Sequence, residues 1–156
     1  MTYDQVFDIV DRGGWKATPD RDLLFSSDHV IEAYFKGKDM GQRTETSLAM
    51  DQISKNLQKS SELTALIFEN LRNRSLHPVD AFLKIISQKY YEILITVPER
   101  EFLSDEILDV YSFLGDLQTK EASDYYKVDI SLCPFLKQLN IGSLAADGFI
   151  LQYAGK

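Results

Sequence analysis

Apolar positions in this chain change period near residue 88: helical spacing dominates before it, and alternation appears after it. Thr2-x-x-Gln5 has the spacing of a capping box, and Tyr3, Val6, Phe7 and Val10 follow at i, i+3, i+4 and i+7. Gly13-Gly14 closes that first helix. Residues 15–27, with Pro19 inside, read as a loop holding one short extended piece. A second short helix, capped by Ser27 or Asp28, carries Val30, Ile31, Tyr34 and Phe35 and ends at Gly37. From Thr44 to Arg74 there is no proline or glycine. Met50, Ile53, Leu57, Ile67 and Leu71 fall near one stripe that Ser60, Ser61 and Thr64 interrupt. Either one helix of roughly 45 Å runs through, or two helices meet at the serines. Pro78 suits a first helical position, and Val79, Phe82, Leu83 and Ile86 supply the apolar face of a short helix there.

Tyr91, Ile93, Ile95 and Val97 then alternate, rich in β-branched and aromatic residues, and Pro98 ends the run. Ser104 stands where an N-cap is expected, with Asp105-Glu106 in the first turn and Leu103, Ile107, Val110, Tyr111, Leu114 and Leu117 on one side. A second strand follows in Tyr126, Val128, Ile130 and Leu132, closed by Pro134, and residues 148–153 read as a third. The two clear strands echo each other, Tyr90-Tyr91 matching Tyr125-Tyr126. Strand, helix, strand is the layout of a parallel crossover unit, although an antiparallel pair bridged by the helix also fits. The expectation is one α+β domain. Residues 1–88 are mainly helical, and residues 89–156 form a β-α-β-β part with about three strands and one crossover helix.

Charge narrows the partners. The chain of 156 residues carries a net charge of −7. Up to Gln88 it has 11 Lys/Arg against 13 Asp/Glu, and beyond it 6 against 11, so the excess acid sits in the shorter part. A field of that sign opposes binding to duplex DNA. The single cysteine, Cys133, excludes an internal disulfide and fits a reducing, cytoplasmic setting. The start of the chain lacks the pattern of a secretory signal, and the uncharged apolar run Ile93–Val97 is too short to span a membrane. A soluble protein is expected, without cofactor or metal.

Several constellations bear on chemistry. Arg72-Asn73-Arg74-Ser75-Leu76-His77 resembles the Arg-x4-His motif, with Asn second, of the HEPN family of helical ribonucleases. The resemblance covers six residues. It implies that Arg72 and His77, from paired subunits or domains, act on an RNA backbone. Lys36, Lys38 and Arg43 flank a two-glycine loop and form a candidate anion site, without Walker spacing. His29 lies beside Asp28 and Glu32 but has no second histidine or cysteine near it in sequence to complete a metal site. Cys133 reads as a small, partly buried residue rather than a nucleophile. Asp105, Asp109 and Asp116 fall within about 40° of one another on a helix and make either a solvated face or an acidic ridge for a basic protein.

These signals favour a non-enzymatic protein-binding or adaptor domain. It would form a homodimer through the long helix, which offers more surface than a small domain can cover. The competing class is an enzyme. It would be a nuclease using Arg72 and His77, or a small-ligand enzyme at the C-terminal strand ends near Val97-Pro98 and Cys133-Pro134.

Overall fold

The computed structural model describes residues 13–17, 43–135 and 141–155. The helices expected over residues 1–12 and after Ser27 lie outside the described residues. The class is α+β, with a long helix leading into a mixed sheet of five strands.

Helix α1 (Arg43–Asn73) runs unbroken for 31 residues, about 46 Å at the α-helical rise. Ile53, Leu57, Leu63, Ile67, Phe68 and Leu71 are buried along one stripe. The serines do not break it. Ser60 and Thr64 are as fully buried as the leucines. Thr64 Oγ1 donates to the Ser60 carbonyl, and Ser60 Oγ shares a 2.8 Å hydrogen bond with the Tyr126 hydroxyl. Small polar residues stand here because the chain crosses the helix closely. Trp15 Nε1 donates to the Leu57 carbonyl at 2.9 Å, and a Cβ on Gly14 would lie 2.3 Å from Ser61 Oγ. Gly14 also has a φ of +89°, which L side chains rarely adopt. The stripe is covered by this chain's own sheet, so the length of the helix alone does not call for a partner.

The sheet order is β1 (Trp15–Ala17), β5 (Leu151–Tyr153), β2 (Asp80–Ile85), β3 (Tyr90–Pro98) and β4 (Lys127–Phe135). All neighbours are antiparallel except β3 and β4, which are parallel. Two short helices and a longer one complete the described elements: α2 (Glu99–Phe102), α3 (Glu106–Glu121) and α4 (Ile141–Ala146). The β3-α3-β4 segment is thus the crossover unit. Its echoing strands pair two residues out of step with their sequence match, Tyr91 lying beside Val128 and Ile93 beside Ile130. Shared burial, not shared position, makes them look alike.

Residues Ala81, Leu83, Ile85, Tyr91, Ile93, Ile95, Val97, Val128, Ile130 and Leu132 form the inner face, buried against α1 and α3. Trp15, Phe68 and Tyr153 extend this core, with Tyr153 meeting the other two rings edge-on at 5.7 and 5.4 Å. Lys84, on the outer face, lies against Gly148 and Phe149, so the segment after α4 passes across that side.

Four expectations are corrected. Residues 80–85 form a strand, not a helix starting at Pro78. Phe82 is buried on the outer face while its neighbours Ala81 and Leu83 are buried on the inner one. A strand covered on both faces loses alternation and imitates a short helix. The last strand spans Leu151–Tyr153 only, because Gly148 turns the chain at a φ of +99°. Ser104 does not cap α3, which starts at Glu106. Its hydroxyl donates back to the Glu101 carbonyl and closes α2. Leu103 and Tyr111, expected on the apolar side of that helix, are exposed.

Candidate functional site

Two loops meet at the N-terminal ends of the parallel strands: the β2–β3 turn (residues 86–89) and the α3–β4 connection (residues 122–126). Each is closed by its own bonds. Ile86 and Ser87 N–H groups donate to the Tyr90 carbonyl, and Ser123 N–H donates to the Tyr126 carbonyl. Lys127 N–H joins the two loops by donating to the Lys89 carbonyl at 2.7 Å.

Asn56, buried in the stripe of α1, then fastens both to the helix. Its two amide hydrogens go to the Gln88 and Tyr125 carbonyls, each at 3.0 Å, while its Oδ1 accepts from Gln52. One carboxamide thereby satisfies two loop carbonyls that no strand ladder reaches.

Below the loops Tyr91 and Tyr126 stack, with centroids 5.6 Å apart and planes 29° from parallel. Tyr91 donates to the Gln88 carbonyl, and Tyr126 meets Ser60. Burial pushes both phenols well above the ordinary tyrosine value. They are structural groups, held neutral.

The other member of each tyrosine doublet faces out. Tyr90 is 46% exposed and Tyr125 62%. Lys127 of β4 lies over the Tyr90 ring at 5.6 Å, and Lys89 lies over the Tyr125 ring at 5.9 Å. Each lysine covers the tyrosine of the other segment, in cation–π geometry. Exposed Ile86 completes the edge of a hollow of about 140 Å³ lined with Tyr90, Tyr91, Lys127, Val128 and Asp129. The result is a rigid ledge of exposed apolar and cationic groups on an acidic chain. The doublets were visible in the sequence as an echo, and alternation assigns one tyrosine of each to the surface. Asn56 gave no such signal, since a polar residue in a helical stripe reads as a gap.

A larger groove, about 460 Å³, lies between α1 and the end of α3 and is lined by Lys55, Lys59, Leu63, Leu66 and Glu121 among others. Its polar groups largely answer one another: Lys59 pairs with Glu121 at 3.4 Å and sits over the Tyr126 ring, and Gln58 donates to Glu62. The groove reads as a helix–helix seam.

The residues of the six-residue motif build the stop of α1. Leu76 N–H donates to the Leu71 carbonyl and Ser75 N–H to the Arg72 carbonyl, with Ser75 at a φ of +63°. Those are the paired bonds of a Schellman motif, and buried Leu71 and Leu76 supply its apolar contact. Arg72 lies over the ring of Phe68, one turn back. His77 is 76% exposed and is gripped by Glu101, whose carboxylate takes the His77 backbone N–H at 2.5 Å and Nδ1 at 2.8 Å. This clasp lies past the C-terminal end of β3, at the opposite end of the sheet from the ledge.

Asp109 and Asp116 on α3, and Asp105 at its N-cap, are all exposed. Lys36 and Lys38 lie outside the described residues, as does His29, and Arg43 enters only as the first residue of α1. Cys133 is half-buried in β4, and burial raises its thiol pKa, which disfavours the thiolate. Among the described residues no group of three or more His, Cys, Asp or Glu is placed to hold a metal ion, and no helix is long and apolar enough to cross a membrane. No family model, curated protein or solved structure matches the chain.

Proposed function

We propose that this chain is a non-enzymatic protein-binding domain whose docking surface is the ledge at the N-terminal ends of β3 and β4. The observation that carries the reading is the pair of exposed tyrosines, Tyr90 and Tyr125, held on loops that Asn56 already fixes. Tyrosine anchors on rigid backbone give up little entropy on binding and dominate interface energetics. The net charge of −7 adds long-range steering toward a basic partner, with Asp105, Asp109 and Asp116 as the acidic ridge. A single, half-buried cysteine suits a cytoplasmic setting.

Comparative affinity purification tests this, using the wild type, Tyr90→Ala/Tyr125→Ala and the triple reversal of Asp105, Asp109 and Asp116 to Lys. Circular dichroism checks that each variant is folded. The tyrosine variant is expected to lose a partner that wild type retains, and the reversal to slow its association at low salt. If every interaction survives the tyrosine change, the ledge is not the docking surface.

One observation favours a second reading. A carboxylate-held Nδ1–H leaves His77 Nε2 free as an acid/base at the surface, as a nuclease acting with Arg72 needs. Cleavage of RNA that disappears in His77→Ala would establish it.

A further inference from the structure

Each exposed tyrosine of the ledge already carries a cation. Lys127 Nζ stands over the Tyr90 ring at 5.6 Å, and Lys89 Nζ over the Tyr125 ring at 5.9 Å. Both distances lie in the range where the negative face of a ring attracts a positive charge. Carboxylates stand close by. Asp129 lines the hollow beside Tyr90, Glu92 is its register partner on β3, and exposed Asp124 precedes Tyr125. Yet among the described residues neither Lys89 nor Lys127 forms an ion pair, and no lysine or arginine answers these three acids. The ammonium groups rest on the rings instead.

Ring and lysine are held differently. The rings stand on fixed backbone, because Asn56 holds the Tyr125 carbonyl and the Lys127 N–H joins the two loops through the Lys89 carbonyl. Lys89 and Lys127 are exposed, and their flexible four-carbon stems let the ammonium groups swing into water while that backbone stays in place. An incoming cation can thus take a ring face as the chain's own lysine turns aside. Arginine is the stronger competitor. Its planar guanidinium is weakly hydrated and stacks on aromatic faces, whereas an ammonium is a strongly hydrated point charge.

We propose that the ledge receives a basic, arginine-bearing segment of a partner protein, and that Lys89 and Lys127 are built-in stand-ins for the cations it brings. This rests on the ledge being the docking surface and adds the chemistry that the surface selects. Asp124, Glu92 and Asp129 outnumber the two lysines there, and the chain as a whole carries −7, so the surroundings are complementary to such a segment. The lysines set a threshold. A segment without charge gains nothing from ring faces that are already occupied, and only one that brings better cations displaces them.

NMR titration of the full chain with three unstructured peptides of equal length, alternating Gly-Arg, Gly-Lys or Gly-Glu, is the measurement. The Tyr90 and Tyr125 ring signals are expected to shift with the Gly-Arg peptide, less with Gly-Lys and not with Gly-Glu. Lys89→Met/Lys127→Met should tighten Gly-Arg binding about fivefold, the scale of vacating two exposed cation–π contacts. That variant also makes the chain more acidic. The control is Lys16→Met/Arg100→Met, which removes the same charge from exposed positions on β1 and α2 and should give no comparable gain. Tyr90→Ala/Tyr125→Ala should weaken Gly-Arg binding at least roughly tenfold and abolish the gain from removing the lysines. Emission from buried Trp15 verifies that each variant is folded. A preference for Gly-Glu, an equal gain in the control, or no ring shift at millimolar Gly-Arg peptide overturns the proposal. Loss of a partner in Tyr90→Ala/Tyr125→Ala would still leave the ledge a docking surface, so the two failures are told apart.

Discussion

The two ends of the parallel strands are built differently. At the N-terminal end the loops are fixed from below by a buried carboxamide, and the exposed groups are aromatic. At the C-terminal end the chain is fixed from above by Glu101, an ionised group reaching an exposed histidine. Hydrogen bonds from a buried carboxamide are costly to lose, whereas an exposed ion pair competes with water and is worth little. The first end is therefore a rigid platform, and the second is a latch whose loss the fold tolerates.

The largest consequence falls on Asn56. Asn56→Ala removes both donors and leaves the Tyr125 carbonyl without its side-chain donor, while the Gln88 carbonyl keeps the Tyr91 hydroxyl, so unfolding free energy is expected to fall by about 1–3 kcal/mol. Denaturant titration measures this, and hydrogen exchange should quicken in residues 86–89 and 122–126 before it does elsewhere. A loss well under 1 kcal/mol would mean that water replaces the carboxamide, and the ends would no longer differ in kind.

Next in size is the response to alkali. The folded pKa values of Tyr91 and Tyr126 lie above the unfolded value of about 10. The unfolded state thus releases its protons first as pH rises. Stability from these two phenols is fully present below about pH 10 and declines above it. Replacing either with Phe should remove up to one proton from the slope of stability against pH in that range. An unchanged slope would place the alkaline sensitivity elsewhere.

The same contrast governs what the sequence revealed. Strands β3 and β4 were legible because one face of each is buried and the other largely is not, which preserves alternation. Strand β2 was not, because Phe82 is buried opposite Ala81 and Leu83. Strand β1 has three residues, too few for any period to show. The polar residues of α1 were seen but left one helix or two open, since Ser60 and Thr64 look like a break until the partners that cross the helix are known. Among candidate sites, Arg72 and His77 drew notice by spacing, yet that segment is built first of all as a helix stop. The ledge was half legible, its tyrosines visible and its buried clamp not.

A smaller effect tests that helix stop. Ser75 holds a left-handed conformation that glycine adopts without strain. Ser75→Gly is expected to stabilise the chain by about 0.5–1 kcal/mol, the relief of strain outweighing the added freedom of the unfolded chain. Thermal unfolding reads the sign, and destabilisation would show that the serine side chain contributes more than its backbone costs.

The smallest effect on stability is expected at the latch, and there a spectroscopic signature carries the information. An ionised carboxylate only accepts hydrogen bonds, so Glu101 requires the proton of neutral His77 to sit on Nδ1. Glu101→Gln keeps an oxygen for the His77 backbone N–H but turns an amide N–H₂ toward the ring. The preferred tautomer should then move to Nε2–H, visible in the imidazole nitrogen shifts. Stability should change by less than about 1 kcal/mol, because the histidine is mostly in water. A tautomer switch with almost no loss of stability would confirm that this end is a latch and the other a platform. A loss as large as that of Asn56→Ala would make the two ends equal and remove the distinction.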